Sequence, residues 1–174
     1  MNKKATELFF RMEGNRKNLF QHLSEYNADN FNEMPNGKWS VNQNIQHLLL
    51  SEKGTVAYMN KKILAADDLD TTGIKNKWNW FMLKAAFSVP FKYKAPGIVN
   101  PVKEEFVYEN LMRDWEVTRH KLQEFISAYP DKYKNKNIFK HPMAGRANLK
   151  MALDFLDFHS TRHIGQIKRT IKSI

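Results

Sequence analysis

The chain has 174 residues, no cysteine, and a formal net charge of +10 at pH 7. That length fits one domain spanning residues 1–174. A hydrophobic content of 42% with 13% aromatics excludes a disordered polypeptide, and the lack of cysteine excludes disulfides, thiolate nucleophiles and Cys-type zinc sites.

A first helix is predicted from about Ala5 to Tyr26, where Leu8, Met12, Leu19, Leu23 and Tyr26 recur at helical spacing and Thr6 offers an N-cap. A loop rich in Asn, Asp, Pro and Gly follows. The second helix starts sharply at Ser40-Val41-Asn42-Gln43, a capping box with Ser40 as N-cap and Gln43 at the third helical position, and is predicted to reach about Ala65. His47 stands near its start, beside the apolar stripe. Ser51 and Gly54, small residues further along, either leave room for a ligand beside His47 or allow close helix packing.

Residues 67–101 form a long connector. A short helix is predicted over Lys77–Phe87, with Trp78, Phe81, Met82 and Ala85 on one side, before Pro90, Pro96, Gly97 and Pro101 break regular structure. From Thr71 to Lys103 there are six lysines (75, 77, 84, 92, 94 and 103) and no acid. Folded over a site, such a stretch concentrates anions; otherwise it only solubilises an apolar connector. The length suits a crossover between two helices running the same way. Its aromatics need cover, and packing, a lid or a homodimer contact is expected in preference to a membrane surface.

The third helix is predicted from about Lys103 to Tyr129, with Glu104 and Glu105 in its first turn, where the helix dipole favours acids, and Pro130 at its end. His120 falls off its apolar stripe and is expected in solvent. A polar linker, 131–137, leads to Phe139-Lys140-His141-Pro142-Met143-Ala144-Gly145. Asn148 is a candidate N-cap for the last helix, which runs to about Ile171 and carries Ala152, Phe155, Leu156, His159, His163, Gln166, Ile167 and Thr170 on one face. Four amphipathic stripes of this kind close into an all-α four-helix bundle.

His159 and His163 are four residues apart, so a helix puts both imidazoles on one face. Two imidazoles so placed can share a metal ion, and His47, on the inward side of an early capped helix, is the candidate third ligand. A metal also compensates the cost of burying imidazoles. Three histidines with one position open make a catalytic type of site rather than a closed structural one. The pair lacks the Glu of the metalloprotease helix motif. Glu52, about 140° round the helix from His47, is a weak general-base candidate. Gln166 can bond a ligand or a neighbouring helix. His141 is expected to brace its loop by hydrogen bonding and not to act as a fourth ligand.

Three stretches carry a specific resemblance. Trp39-Ser40-Val41 with His47-Leu48, Phe139-Lys140-His141-Pro142-Met143-Ala144-Gly145, and Asp154-Phe155-Leu156 with His159-Ser160-Thr161-Arg162-His163-Ile164-Gly165-Gln166-Ile167 resemble the motifs of the DinB/YfiT-like superfamily of metal-dependent four-helix-bundle proteins. Asn148 stands where that family often has Thr, a conservative capping change. The resemblance implies an up-down-down-up bundle with its long crossover between helices 2 and 3, and a metal triad of His47, His159 and His163.

It also implies thiol S-transferase chemistry with bacillithiol, mycothiol or glutathione, or a related hydrolase. The ion expected is divalent, Zn or Ni foremost, with Fe, Mn and Cu as further candidates; imidazole suits Zn, Ni, Cu and Fe alike. The alternative is a non-catalytic metal-stabilised or ligand-binding bundle. A small-molecule substrate or an anionic thiol cosubstrate, a homodimer and a cytoplasmic location are expected. No nucleic acid is expected, because the lysines form no reading helix or stacking motif. No membrane partner is expected either, and no apolar run is long enough to span a bilayer.

Overall fold

The computed structural model describes residues 3–88 and 105–174. Among them the chain forms five α-helices: α1 (Lys3–Leu23), α2 (Val41–Ile63), α3 (Ile74–Ser88), α4 (Tyr108–Ala128) and α5 (Leu149–Thr170). One antiparallel hairpin, β1 (Phe139–His141) and β2 (Gly145–Ala147), precedes α5, with Phe139 opposite Ala147 and His141 opposite Gly145. The protein is mostly helical, as the periodicity predicts. No described helix is long and apolar enough to cross a membrane.

The helix boundaries follow local chemistry. The α2 capping box is present in full: Ser40 Oγ accepts from Gln43 N and Gln43 Oε1 accepts from Ser40 N, both at 3.0 Å. Asn148 caps α5, its Oδ1 accepting from Met151 N at 3.0 Å. Thr6 is no cap: α1 is already under way at Lys3 and Thr6 lies inside it. α1 also stops at Leu23, which leaves Tyr26 outside the helix and on the surface. α4 begins at Tyr108, so its first-turn acid is Glu109. Glu105 precedes that turn, and the expectation for Glu104 lies outside the described residues.

α2 packs on α4 and α5, and α1 on α5 and α4. Two apolar clusters fill the space between them. One joins Met12, Val56, Met59, Leu122, Phe125, Leu153 and Leu156; the other joins Leu19, Leu23, Ile45, Leu49, Leu111, Trp115 and Ile167. Between them lies a polar layer: Arg16 on α1, Glu52 on α2, Arg119 on α4 and His159 on α5, all buried.

The connector is more ordered at its start than its composition suggests. Thr71 pairs with Lys136 as an isolated bridge, Thr72 N donates to Asn135 O at 2.8 Å, and Asn137 N donates to Asp70 O at 2.9 Å. α3 starts three residues earlier than predicted, and the side that carries Trp78, Phe81 and Met82 is its outer one. Trp80 and Leu83 are buried, whereas Trp78, Phe81 and Met82 are exposed. The Trp80 indole decides the orientation: Nε1 donates to Arg146 O at 3.1 Å, and its ring lies against Phe139, His141 and Phe155. α3 therefore packs on β2 and α5. Of the six connector lysines, Lys75, Lys77 and Lys84 are on α3 and exposed, and Lys92, Lys94 and Lys103 lie outside the described residues.

Candidate metal site

Three histidines from two helices meet at the polar layer. His47 comes from the first half of α2, fixed in register by the capping box seven residues before it. His159 and His163 come from adjacent turns of α5. All three are buried, and one ligand atom of each lies within 4.8 Å of the others. The two Nε2 atoms of His47 and His159 face each other at 3.0 Å. Two imidazole nitrogens on one tetrahedral ion stand about 3.3 Å apart when each bond is about 2.0–2.1 Å, so this pair is already aimed at a shared centre. Among the described residues no carboxylate joins the cluster.

Electrostatics keep the imidazoles in their ligating form. Burial, together with the neighbouring His47 and Arg162 charges, pushes His163 down to about 3. Burial and the other two triad histidines also hold His159 well below the ordinary histidine range. Both rings are thus neutral near pH 7, with a lone pair to offer.

Asn44 fixes which nitrogen of His163 carries the proton. Its Nδ2 donates to Ser40 O at 2.8 Å and to Trp39 O at 3.4 Å. Carbonyls only accept, so the amide can be placed one way and Oδ1 must face His163 Nδ1, 3.1 Å away. Nδ1 is therefore the protonated nitrogen, and Nε2 is bare and available to an ion. A hydrogen bond of this kind to the distal nitrogen is the usual second partner of a ligating histidine.

Aromatic rings enclose the site. Trp39 stacks over His163 (6.1 Å, 19°) and tilts against His47 at 5.0 Å, and Phe155 stacks on His159 at 5.1 Å. The sequence matches the profile of the DinB superfamily over residues 11–167. The chain belongs to the DinB superfamily. No curated protein and no solved structure matches it. DinB membership and the three-histidine cluster agree on a metal-binding protein.

The remaining site residues fall elsewhere in this DinB chain. Glu52 is held in the polar layer, with Oε1 2.7 Å from Arg119 Nε and Oε2 accepting from Trp115 Nε1 at 3.0 Å, so it is not poised as a base beside the triad. His141 braces its hairpin: Nδ1 accepts from Met143 N and Ala144 N, both at 3.2 Å. His120 is exposed and pairs with Glu116 on its own helix. Gln166 is half-buried. Gly54 is exposed, and a Cβ added there meets nothing within 4 Å, so close helix packing does not require a glycine there. Sequence reasoning gave Asn44 and Trp39 no part in the site. Asn44 is signalled by position alone, one turn before His47 on the same helix, whereas Trp39 opens one of the stretches that carry the family resemblance.

Proposed function

We propose that the protein is a metal-dependent enzyme, a transferase that activates a small anionic thiol of the bacillithiol type or a hydrolase of related mechanism. The observation that carries this reading is a ligand set of three buried histidines, joined by no carboxylate among the described residues. His47, His159 and His163 would hold the ion, leaving one position of a tetrahedral set for a ligand from solution. A divalent ion held there supplies an electrophilic centre that favours the thiolate over the thiol. Asn44 orients His163, Phe155 supports the His159 ring, and Trp39 limits the access of water. The up-down-down-up path is supported by the shared clusters: the early part of α1 meets the early part of α5, and the late parts of α2 and α4.

A second reading is favoured by one observation. The histidines are only 4–7% exposed, with His47 and His163 against Trp39 and His159 against Phe155, as in a closed structural site. One experiment separates the two. Untagged protein is analysed for metal and then assayed for conjugation of bacillithiol, glutathione and a coenzyme-type thiol to an electrophile, and for hydrolysis of an ester. The expected outcome is one divalent ion per chain, thiol turnover that needs it, and near-complete loss of both in His159→Ala and His163→Ala. Metal retained at full occupancy by those two variants sinks the triad. Metal binding with no thiol or ester turnover sinks the enzyme reading and leaves the structural one.

A further inference from the structure

Among the described residues, an apolar stripe on the outer face of α3 is exposed. Ile74 is 86% exposed, Phe81 61%, Trp78 60% and Met82 49%. At about 100° per residue these four fall within an arc of roughly 100°, on the side of the helix away from Trp80 and Leu83. The Trp78 and Phe81 rings touch, with centroids 5.7 Å apart. Exposed lysines border the arc on both sides, Lys77 and Lys84 along one edge and Lys75 along the other. α3 contains no acid. Asp154 of α5 lines the groove with Lys77 and Lys84 and is paired with Lys150 on its own helix.

We propose that this face of α3 docks on an anionic lipid surface. An apolar stripe with a tryptophan at its centre and lysines on both flanks is the arrangement of a helix that lies in the plane of a membrane interface. There the rings enter the headgroup boundary, and the lysine stems reach back to the anionic headgroups. The helix is already held from behind by Trp80, packed on β2 and α5, so binding requires no folding step. A second copy of the chain is a poorer occupant. Four side chains on one helix fall well short of the ~800 Å² per partner of a stable interface. A two-fold contact would also set Lys75, Lys77 and Lys84 against their own copies in a chain of net charge +10. The docking does not depend on the metal reading.

The test uses the full chain, mixed phosphatidylcholine–phosphatidylglycerol vesicles and pure phosphatidylcholine vesicles, with co-sedimentation at low and high salt. Two variants are compared, Trp78→Ser/Phe81→Ser and Lys75→Gln/Lys77→Gln/Lys84→Gln. Both change exposed side chains, and circular dichroism checks that each is folded. The wild type is expected to bind the anionic vesicles and to be released by salt. The lysine variant is expected to bind about a hundredfold more weakly, and the aromatic variant at least about tenfold more weakly. No wild-type binding to anionic vesicles overturns the proposal, as does equal binding by the aromatic variant. So does a dimer that the aromatic variant abolishes in the absence of any vesicle binding, which would assign the face to a second copy.

Discussion

Asn44 shows how much one side chain can decide. Its two donor bonds to backbone carbonyls at the start of α2 pin the amide, and the pinned oxygen sets the tautomer of a histidine on α5. Asn44→Ala removes that constraint without touching a ligand. Its metal affinity is expected to fall about 10–100-fold, measured by competition with a chromophoric chelator, with helix content unchanged. Equal affinity would mean that His163 is oriented by packing against Trp39 alone. The ligands themselves were legible in the sequence, because a spacing of four on an amphipathic helix can be read without coordinates. Asn44 was not, because its partner is 119 residues away and an Asn at the fourth position of a capped helix looks like an ordinary polar residue.

At the level of elements, the four long helices were legible because each repeats its apolar stripe over several turns, and α2 and α5 also announce their starts with side-chain caps. The hairpin was not: strands of three residues carry no usable period. Which side of α3 faces inward was not legible, since the helix has apolar residues on both sides and the Trp80 hydrogen bond to Arg146 breaks the tie. The hairpin turns on Gly145, at φ +78, and on His141, whose unprotonated Nδ1 accepts two backbone N–H groups. Burial pushes His141 down to about 4. An unfolded histidine takes up its proton near pH 6.5. Because the folded value is the lower one, the stability is present above about 6.5 and is lost as pH falls from there toward 4. In His141→Asn, where the side-chain oxygen can still accept, urea midpoints are expected to decline less steeply between those limits than in the wild type. His159 and His163 add a slope of the same sign to both metal-free proteins, so the comparison isolates His141. Parallel pH profiles would show that the hairpin does not depend on that nitrogen.

Across the whole molecule, the polar layer between the two apolar clusters holds more than the metal site. Arg16 bonds Glu13 on its own helix and Glu116 on α4, while Glu52 on α2 meets Arg119 on α4, so the layer ties three helices together by charge. Nothing in the sequence links Glu52 to Arg119, which is why Glu52 read as a candidate base. Burial pushes the Glu52 carboxyl up, against the pull of Arg119 and the Trp115 N–H. Arg119→Met leaves that carboxylate buried and unpaired, at a cost expected to be about 3–5 kcal/mol near pH 7. Glu52→Gln/Arg119→Met removes both charges and keeps an acceptor for Trp115 Nε1, so it is expected to lie much closer to the wild type than the single variant does. The pH dependence gives a second check. With Arg119 gone, the folded-state value of Glu52 rises further above the unfolded value of about 4.3. The destabilisation therefore develops as pH climbs from about 4.3 through the raised value and recedes as pH falls, when the buried carboxyl takes up its proton. Urea denaturation of the single variant should show the penalty shrinking toward acid relative to the double variant, which lacks this titration. A penalty of equal size at acid and neutral pH would place the cost in lost packing of the Arg119 side chain and not in an orphaned charge.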